Sequence, residues 1–132
     1  MILILDASAA TEIVLQGKTS KHFEDYLKDA DWITAPGLYI AEISNVFWKY
    51  HKFGNISLEQ CERAIEYAIN LPDEYSDDQV LYKEAFLLGC KANKPVYDMF
   101  YIILARRNSG YLLTLDKNLA AEAKKQSVRV IS

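Results

Sequence analysis

Apolar residues in this chain form two kinds of run, short continuous ones and longer ones with helical spacing, and the two kinds alternate. Ile2 to Leu5 is short, continuous and partly β-branched, which predicts a buried strand; Ala7 to Leu15 follows as a helix stopped by Gly17. Ser20 is placed to cap a second helix through about Lys28, with Phe23, Tyr26 and Leu27 on one side. Asp31 to Thr34 predicts a brief second strand, with Pro36-Gly37 as the turn out of it. Leu38 to about Lys52 is a helical pattern rich in Ile, Val, Phe and Trp that ends near Gly54. Ser57 and Gln60 have capping-box spacing and open Leu58 to Asn70, so these two helices are expected to form a hairpin.

The second half continues the alternation. Leu71-Pro72 breaks the preceding helix, Glu74 to Tyr75 is the weakest strand signal, and a Leu- and Ala-rich helix runs from about Asp78 to Ala92. Pro95 leads into Tyr97 to Arg107, apolar on nearly every side except at its two ends, which predicts a helix buried against several neighbours, its start included. Gly110 ends it; Tyr111 to Leu115 reads as strand, Lys117 to Lys125 as helix and Val128 to Ile131 as a last strand. Strands alternating with helices predict an α/β fold, with a parallel sheet covered on both faces. There is no repeat, low-complexity tract or long linker, so residues 1–132 are expected to form a single domain.

Composition changes this picture little. With 51% hydrophobic and 25% charged residues the chain is an ordinary soluble globule, long enough to build a core without disulfides. Cys61 and Cys90 lie in helical patterns without metal-ligand or redox spacing, and are expected to be small buried or half-buried side chains in a reducing cytoplasm. The start Met-Ile-Leu-Ile-Leu-Asp carries no basic leader, and its apolar run falls far short of the roughly 18 residues that cross a bilayer, so neither export nor membrane association is expected. A net charge of −3 argues against coating nucleic acid through bulk electrostatics but leaves room for local contact. The basic pairs Lys91/Lys94, Arg106/Arg107 and Lys124/Lys125 are of the kind that ordinarily make solvated surface.

Four acids fall at places where such a fold gathers side chains. Asp6 and Asp116 each follow an apolar strand, and open parallel sheets bind ligands beyond the carboxyl ends of their strands. Capping of the next helix accounts for each of them equally well, and Ser8 and Thr114 add hydroxyls that serve either a site or local backbone bonding. Glu42 shares a narrow polar stripe with Asn45 and Lys49 among Ile40, Ile43, Val46, Phe47 and Tyr50; Lys49 is two turns away, about 10 Å of rise, too far for a direct bond. Asp98 sits in a first helical turn, where the helix dipole favours it, but ahead of an apolar helix where an ionised group needs a metal or full hydrogen bonding. Converged carboxylates call for a counter-charge, since two unit charges about 4 Å apart repel by about 4 kcal/mol at an effective dielectric of 20. Hard oxygen donors suit Mg²⁺ or Mn²⁺; no His pair or Cys cluster suggests zinc, and His22 and His51 stand alone.

Asp6 with Ser8, Glu42 with Asn45, the Tyr97-Asp98 step before an apolar helix, and Thr114-x-Asp116 together resemble the PIN-domain family, and within it the small VapC-type toxins. The resemblance spans nearly the whole chain. It implies a three-layer α/β/α fold with a central parallel sheet of four to five strands. It also implies a metal-dependent endoribonuclease, with Asp6, Glu42, Asp98 and Asp116 as the acidic set around Mg²⁺ or Mn²⁺. Ser8, Asn45 and Thr114 would support that set by positioning waters or ligands. Asn118 stands where some members carry a further acid, which leaves charge for one tightly held ion and a second recruited by RNA. The resemblance implies an RNA substrate, a cognate antitoxin protein and a homodimer. Tyr39, Trp48, Tyr50, Phe53 and Tyr67 are candidates for a partner groove, with core packing as the competing role. Two other readings stay within the fold: an RNA-processing nuclease that is not a toxin, and a PIN module that binds RNA or protein without cutting. A phosphoacceptor receiver lacks its acidic pair, because Ala7 follows Asp6. A haloacid-dehalogenase-type phosphatase lacks an Asp two residues beyond Asp6, and no glycine-rich phosphate loop exists for nucleotide binding.

Overall fold

In a computed structural model describing residues 1–132, five strands form one parallel sheet in the order β3-β2-β1-β4-β5. These are β1 (Ile2–Leu5), β2 (Trp32–Pro36), β3 (Glu74–Ser76), β4 (Tyr111–Leu113) and β5 (Arg129–Ile131). Between them run α1 (Ala7–Val14), α2 (Ser20–Asp29), α3 (Leu38–Phe53), α4 (Leu58–Ile69), α5 (Asp78–Ala92), α6 (Val96–Asn108) and α7 (Lys117–Lys125). α1 packs on α2, α3 and α4, and α3 and α4 form the expected hairpin. α5 and α6 pack together, with α6 laid along β1, β2 and β4 and α7 against β5, which completes a helix–sheet–helix sandwich. No helix is long and apolar enough to cross a membrane.

The central position of β1 follows from its composition. Leu3, Ile4 and Leu5 are fully buried and join Leu112 and Leu113 in a core cluster of 28 residues, as a strand covered on both faces requires. Parallel pairing sets Leu5 opposite Leu113, so the residues that follow the two strands emerge side by side. Gly110 permits this: a Cβ there would collide with Ile4 Cδ1 and lie 3.0 Å from the Ile2 carbonyl oxygen, so a side chain would push β4 away from β1.

Several local expectations shift. β2 runs through Pro36, which pairs with Ser76; the missing N–H is tolerated at a strand terminus, and the turn begins only at Gly37. Ser20 is the first residue of α2 rather than its cap, and its hydroxyl bonds Glu24 at 2.9 Å. α6 ends through Ser109, which adopts a left-handed conformation (φ 48°), one residue before Gly110. The start of α6 is buried only in part: Tyr97 is 66% exposed, whereas Asp98 is half-buried and Met99 fully buried. Cys61 is buried, with its thiol near the Phe47 carbonyl, whereas Cys90 is exposed. The Ser57–Gln60 capping box forms with both reciprocal bonds.

Candidate functional site

Asp6, directly after β1, caps α1: its Oδ1 accepts from the Ala9 N–H at 2.9 Å and from the Ser8 hydroxyl at 2.8 Å. The Thr114 hydroxyl donates to Asp6 Oδ2 at 2.5 Å and itself accepts the Asp116 N–H at 2.9 Å, while Ser8 Oγ accepts the Leu115 N–H at 2.9 Å. Two hydroxyls therefore lace the end of β1 to the end of β4. Asp6 is only 4% exposed, and burial pushes its carboxyl up to about 6 against the lowering effect of these hydrogen bonds, with Asp116 adding repulsion.

Asp116 caps α7 by accepting from the Asn118 and Leu119 N–H groups at 2.9 and 3.1 Å, and stays exposed. Glu42 projects from the second turn of α3 and is half-buried, and its Oε1 accepts from the Tyr101 hydroxyl of α6 at 2.5 Å. Burial raises the Glu42 carboxyl to about 7; Asp6, Asp98 and Asp116 push in the same direction, while the Tyr101 bond pulls it down. Asp98, in the first turn of α6, is also raised, by burial and then by Asp116, with Lys94 opposing.

All four acids line one cavity of about 300 Å³ beyond the carboxyl edge of the sheet, together with Ser8, Asn45, Lys49 and Tyr101. Capping does not withdraw Asp6 and Asp116 from the cavity: each carboxylate satisfies a helix terminus and still lines the space. Thr114 lies beneath, fully buried and holding Asp6 rather than lining the space. Asn118 does not line the cavity; its contribution is a backbone N–H to Asp116. His22 and His51 lie elsewhere on the exposed surface. Lys49 makes no ion pair with Glu42, as the two-turn separation implies.

Tyr101 is the site residue that the hydrophobic pattern conceals. Inside so apolar a helix it reads as core, and it is in fact 1% exposed. Its spacing of three from Asp98 places it on the same helical face, which is the available signal. The cavity chemistry fits a hard divalent cation: the donors are carboxylate and amide oxygens and hydroxyls, and Lys49 is the single basic group in the lining. The four carboxylates line this cavity, but no three His, Cys, Asp or Glu side chains stand close enough together to form a ready-made metal cage.

No family model matches the chain. Ribonuclease VapC3 of Pyrobaculum aerophilum is 31% identical over 123 residues, covering 91% of this chain and 93% of its own. Among solved structures, PAE2754 from Pyrobaculum aerophilum superposes with a TM-score of 0.77 at 21% identity, over 98% of this chain and 83% of that one. VapBC2 from Rickettsia felis, bound to a DNA fragment from its promoter, gives 0.69 at 15% identity over 99% and 98% of the two chains. VapBC-1 from nontypeable Haemophilus influenzae gives 0.66 at 20% identity over 100% and 98%. The fold is thus shared with these structures, and the identity to the curated ribonuclease shows that the chain belongs to the VapC ribonuclease family.

Proposed function

We propose that this chain is a Mg²⁺- or Mn²⁺-dependent endoribonuclease that hydrolyses RNA phosphodiester bonds as the toxin of a toxin–antitoxin pair, acting in the cytoplasm as a single-domain protomer of a homodimer. The observation that carries this reading is the convergence of Asp6, Glu42, Asp98 and Asp116, from four separate elements, on one cavity. Asp6, Asp98 and Asp116, with Glu42 directly or through water, would hold the cation. When bound, the cation supplies Lewis-acid polarisation of a phosphate oxygen and acidifies a water molecule.

The chain's own residues do the positioning. Ser8 and Thr114 clamp both oxygens of Asp6, so its carboxylate meets a ligand already oriented. The buried Tyr101 hydroxyl does the same for one oxygen of Glu42 and leaves the other free. Asn45 and Lys49 stand at the exposed side of the cavity, where a phosphate enters. Solved relatives include VapBC assemblies, which supports an antitoxin partner. Trp48, Phe53 and Tyr67 are exposed on the α3–α4 hairpin and suit such a partner, whereas Tyr39 is core, donating its hydroxyl to the Ala68 carbonyl at 2.6 Å.

The test is incubation of purified protein with structured RNAs and Mn²⁺ beside Asp98→Asn. Cleavage that falls to background in the variant is expected; equal cleavage by both proteins would mean contamination and remove the enzyme claim.

A further inference from the structure

The site leaves an electrostatic problem: RNA must approach a cavity lined by four carboxylates on a chain whose net charge is −3. The opposite edge of the sheet offers an answer. α6 and α7 each lead back to the start of a strand, so their last turns, with Arg106 and Arg107 on one and Lys124 and Lys125 on the other, gather at the amino edge. Two concavities of about 420 and 400 Å³ meet there, sharing Arg106 and Gln126, and form a groove from the α5–α6 seam round to β5. Its cations are Lys91, Arg106, Arg107 and Arg129, against a single carboxylate, Glu84.

Helix dipoles alone favour cations at helix C-termini, and solvation accounts for most surface Arg and Lys. Two features go beyond that. The Arg107 guanidinium is gripped by Glu84, through Nε at 2.9 Å and through Nη2. Arg129 lies 4.0 Å above the Tyr111 ring, donates to the Tyr111 hydroxyl at 3.0 Å and to the Ser109 carbonyl at 2.5 Å. Both forks are therefore held before any ligand arrives, and little side-chain entropy remains to be lost on binding. Lys91 and Arg106, between them, have no carboxylate partner and are free to take one of opposite charge.

We propose that this groove binds the phosphodiester backbone of RNA flanking the cleavage position, anchoring the substrate from the edge opposite the carboxylates. The inference rests on the ribonuclease reading. Arginine forks match phosphate oxygens, and no aromatic side chain lines the groove to stack a base, so the contact is to backbone and independent of sequence. Asp98 and Arg106 are eight residues apart on α6, about 12 Å along its axis, a span that a strand of a few nucleotides crosses.

The test is fluorescence anisotropy of a labelled single-stranded RNA of about 30 nucleotides on Asp98→Asn protein, with and without the added pair Lys91→Gln and Arg106→Gln, both sites lying on the exposed surface. The pair is expected to weaken binding about tenfold and to flatten the slope of log affinity against log salt by about 1.4, two single-strand phosphates at about 0.7 each. In the wild-type background it should slow cleavage of the long RNA but not of an oligonucleotide too short to reach the groove. Unchanged affinity and salt slope would overturn the proposal. So would loss of labelled polyglutamate binding with RNA binding intact, which would assign the groove to an acidic protein. The two readings fail separately: wild type that cuts while the pair binds RNA normally sinks only the groove, and RNA binding lost in the pair with no cutting by wild type sinks only the nuclease.

Discussion

Asp6 and Asp116 occupy equivalent places in the chain, each closing an apolar strand and capping the helix that follows, yet their surroundings differ sharply. Asp6 follows the central strand, is 4% exposed, and has both oxygens bonded, with its carboxyl pushed up to about 6; Asp116 follows the neighbouring strand and remains open to solvent. Local sequence logic made two similar caps, and position in the sheet made one of them a buried charge. Capping a helix and lining the cavity are therefore compatible here. The cap fixes the carboxylate, and the depth of the strand sets how strongly it needs a counter-charge.

The sharpest way to break this pairing is catalytic. Asp6→Asn and Asp116→Asn both keep a good N-cap while removing charge. If the carboxylates act as cation ligands, each variant should lose RNA cleavage about 100-fold or more in a gel assay with Mn²⁺. Near-wild-type cleavage by either would reduce that residue to a cap.

Stability should then separate the two. A carboxyl raised from 3.8 to about 6 costs the folded state about 3 kcal/mol once ionised, since a tenfold change in proton affinity is worth about 1.36 kcal/mol. In urea melts at pH 8 with chelator, Asp6→Asn should recover up to about that amount, while Asp116→Asn should stay within about 0.5 kcal/mol of wild type. The sign of the pH dependence follows. The native state's preference for the protonated carboxyl is fully present below about pH 4 and lost as pH rises through about 6, and Glu42 extends the loss to about 7. Wild-type stability in chelator should therefore decline from pH 4 to 7, with a shallower decline in Asp6→Asn. A flat wild-type profile would refute the buried-charge account.

Mn²⁺ at about 100 times its dissociation constant should add about 2.7 kcal/mol to wild-type stability, and Asp6→Asn should blunt that gain. A further effect is expected for Tyr101→Phe. Loss of its bond to Glu42 should cost about 1.5–3 kcal/mol, since one partner is a charged group, and should weaken Mn²⁺ binding in titration calorimetry. Unchanged Mn²⁺ affinity would confine Tyr101 to the core.

Much of the framework is legible in the order of residues. β1, α5 and α7 have the bounds their patterns imply, and the Ser57–Gln60 box closes as its spacing requires, because these features depend on near neighbours alone. Glu42 is legible as a polar stripe in an apolar helix. Tyr101 is not, since a tyrosine among Phe100, Ile102 and Ile103 reads as core until Glu42 arrives from another helix to accept its hydrogen bond. Pro36 reads as a turn because proline lacks a donor, yet a strand terminus demands none. Cys90 is exposed because the helical period specifies a face only once a neighbour covers it.

What the chain alone determined was the alternation of strand and helix, the caps, and the types of oxygen donor available, all set by interactions within a few residues. Tertiary structure decided the rest: that Leu5 pairs with Leu113 and so brings Asp6 against Thr114, 108 residues away, and that Arg106 and Arg129 frame a common groove. The reason is physical. Capping and periodicity act through short-range backbone bonds, whereas charge repulsion, burial and metal affinity depend on distances that only the register of β1 with β4 and the packing of α3 and α6 fix.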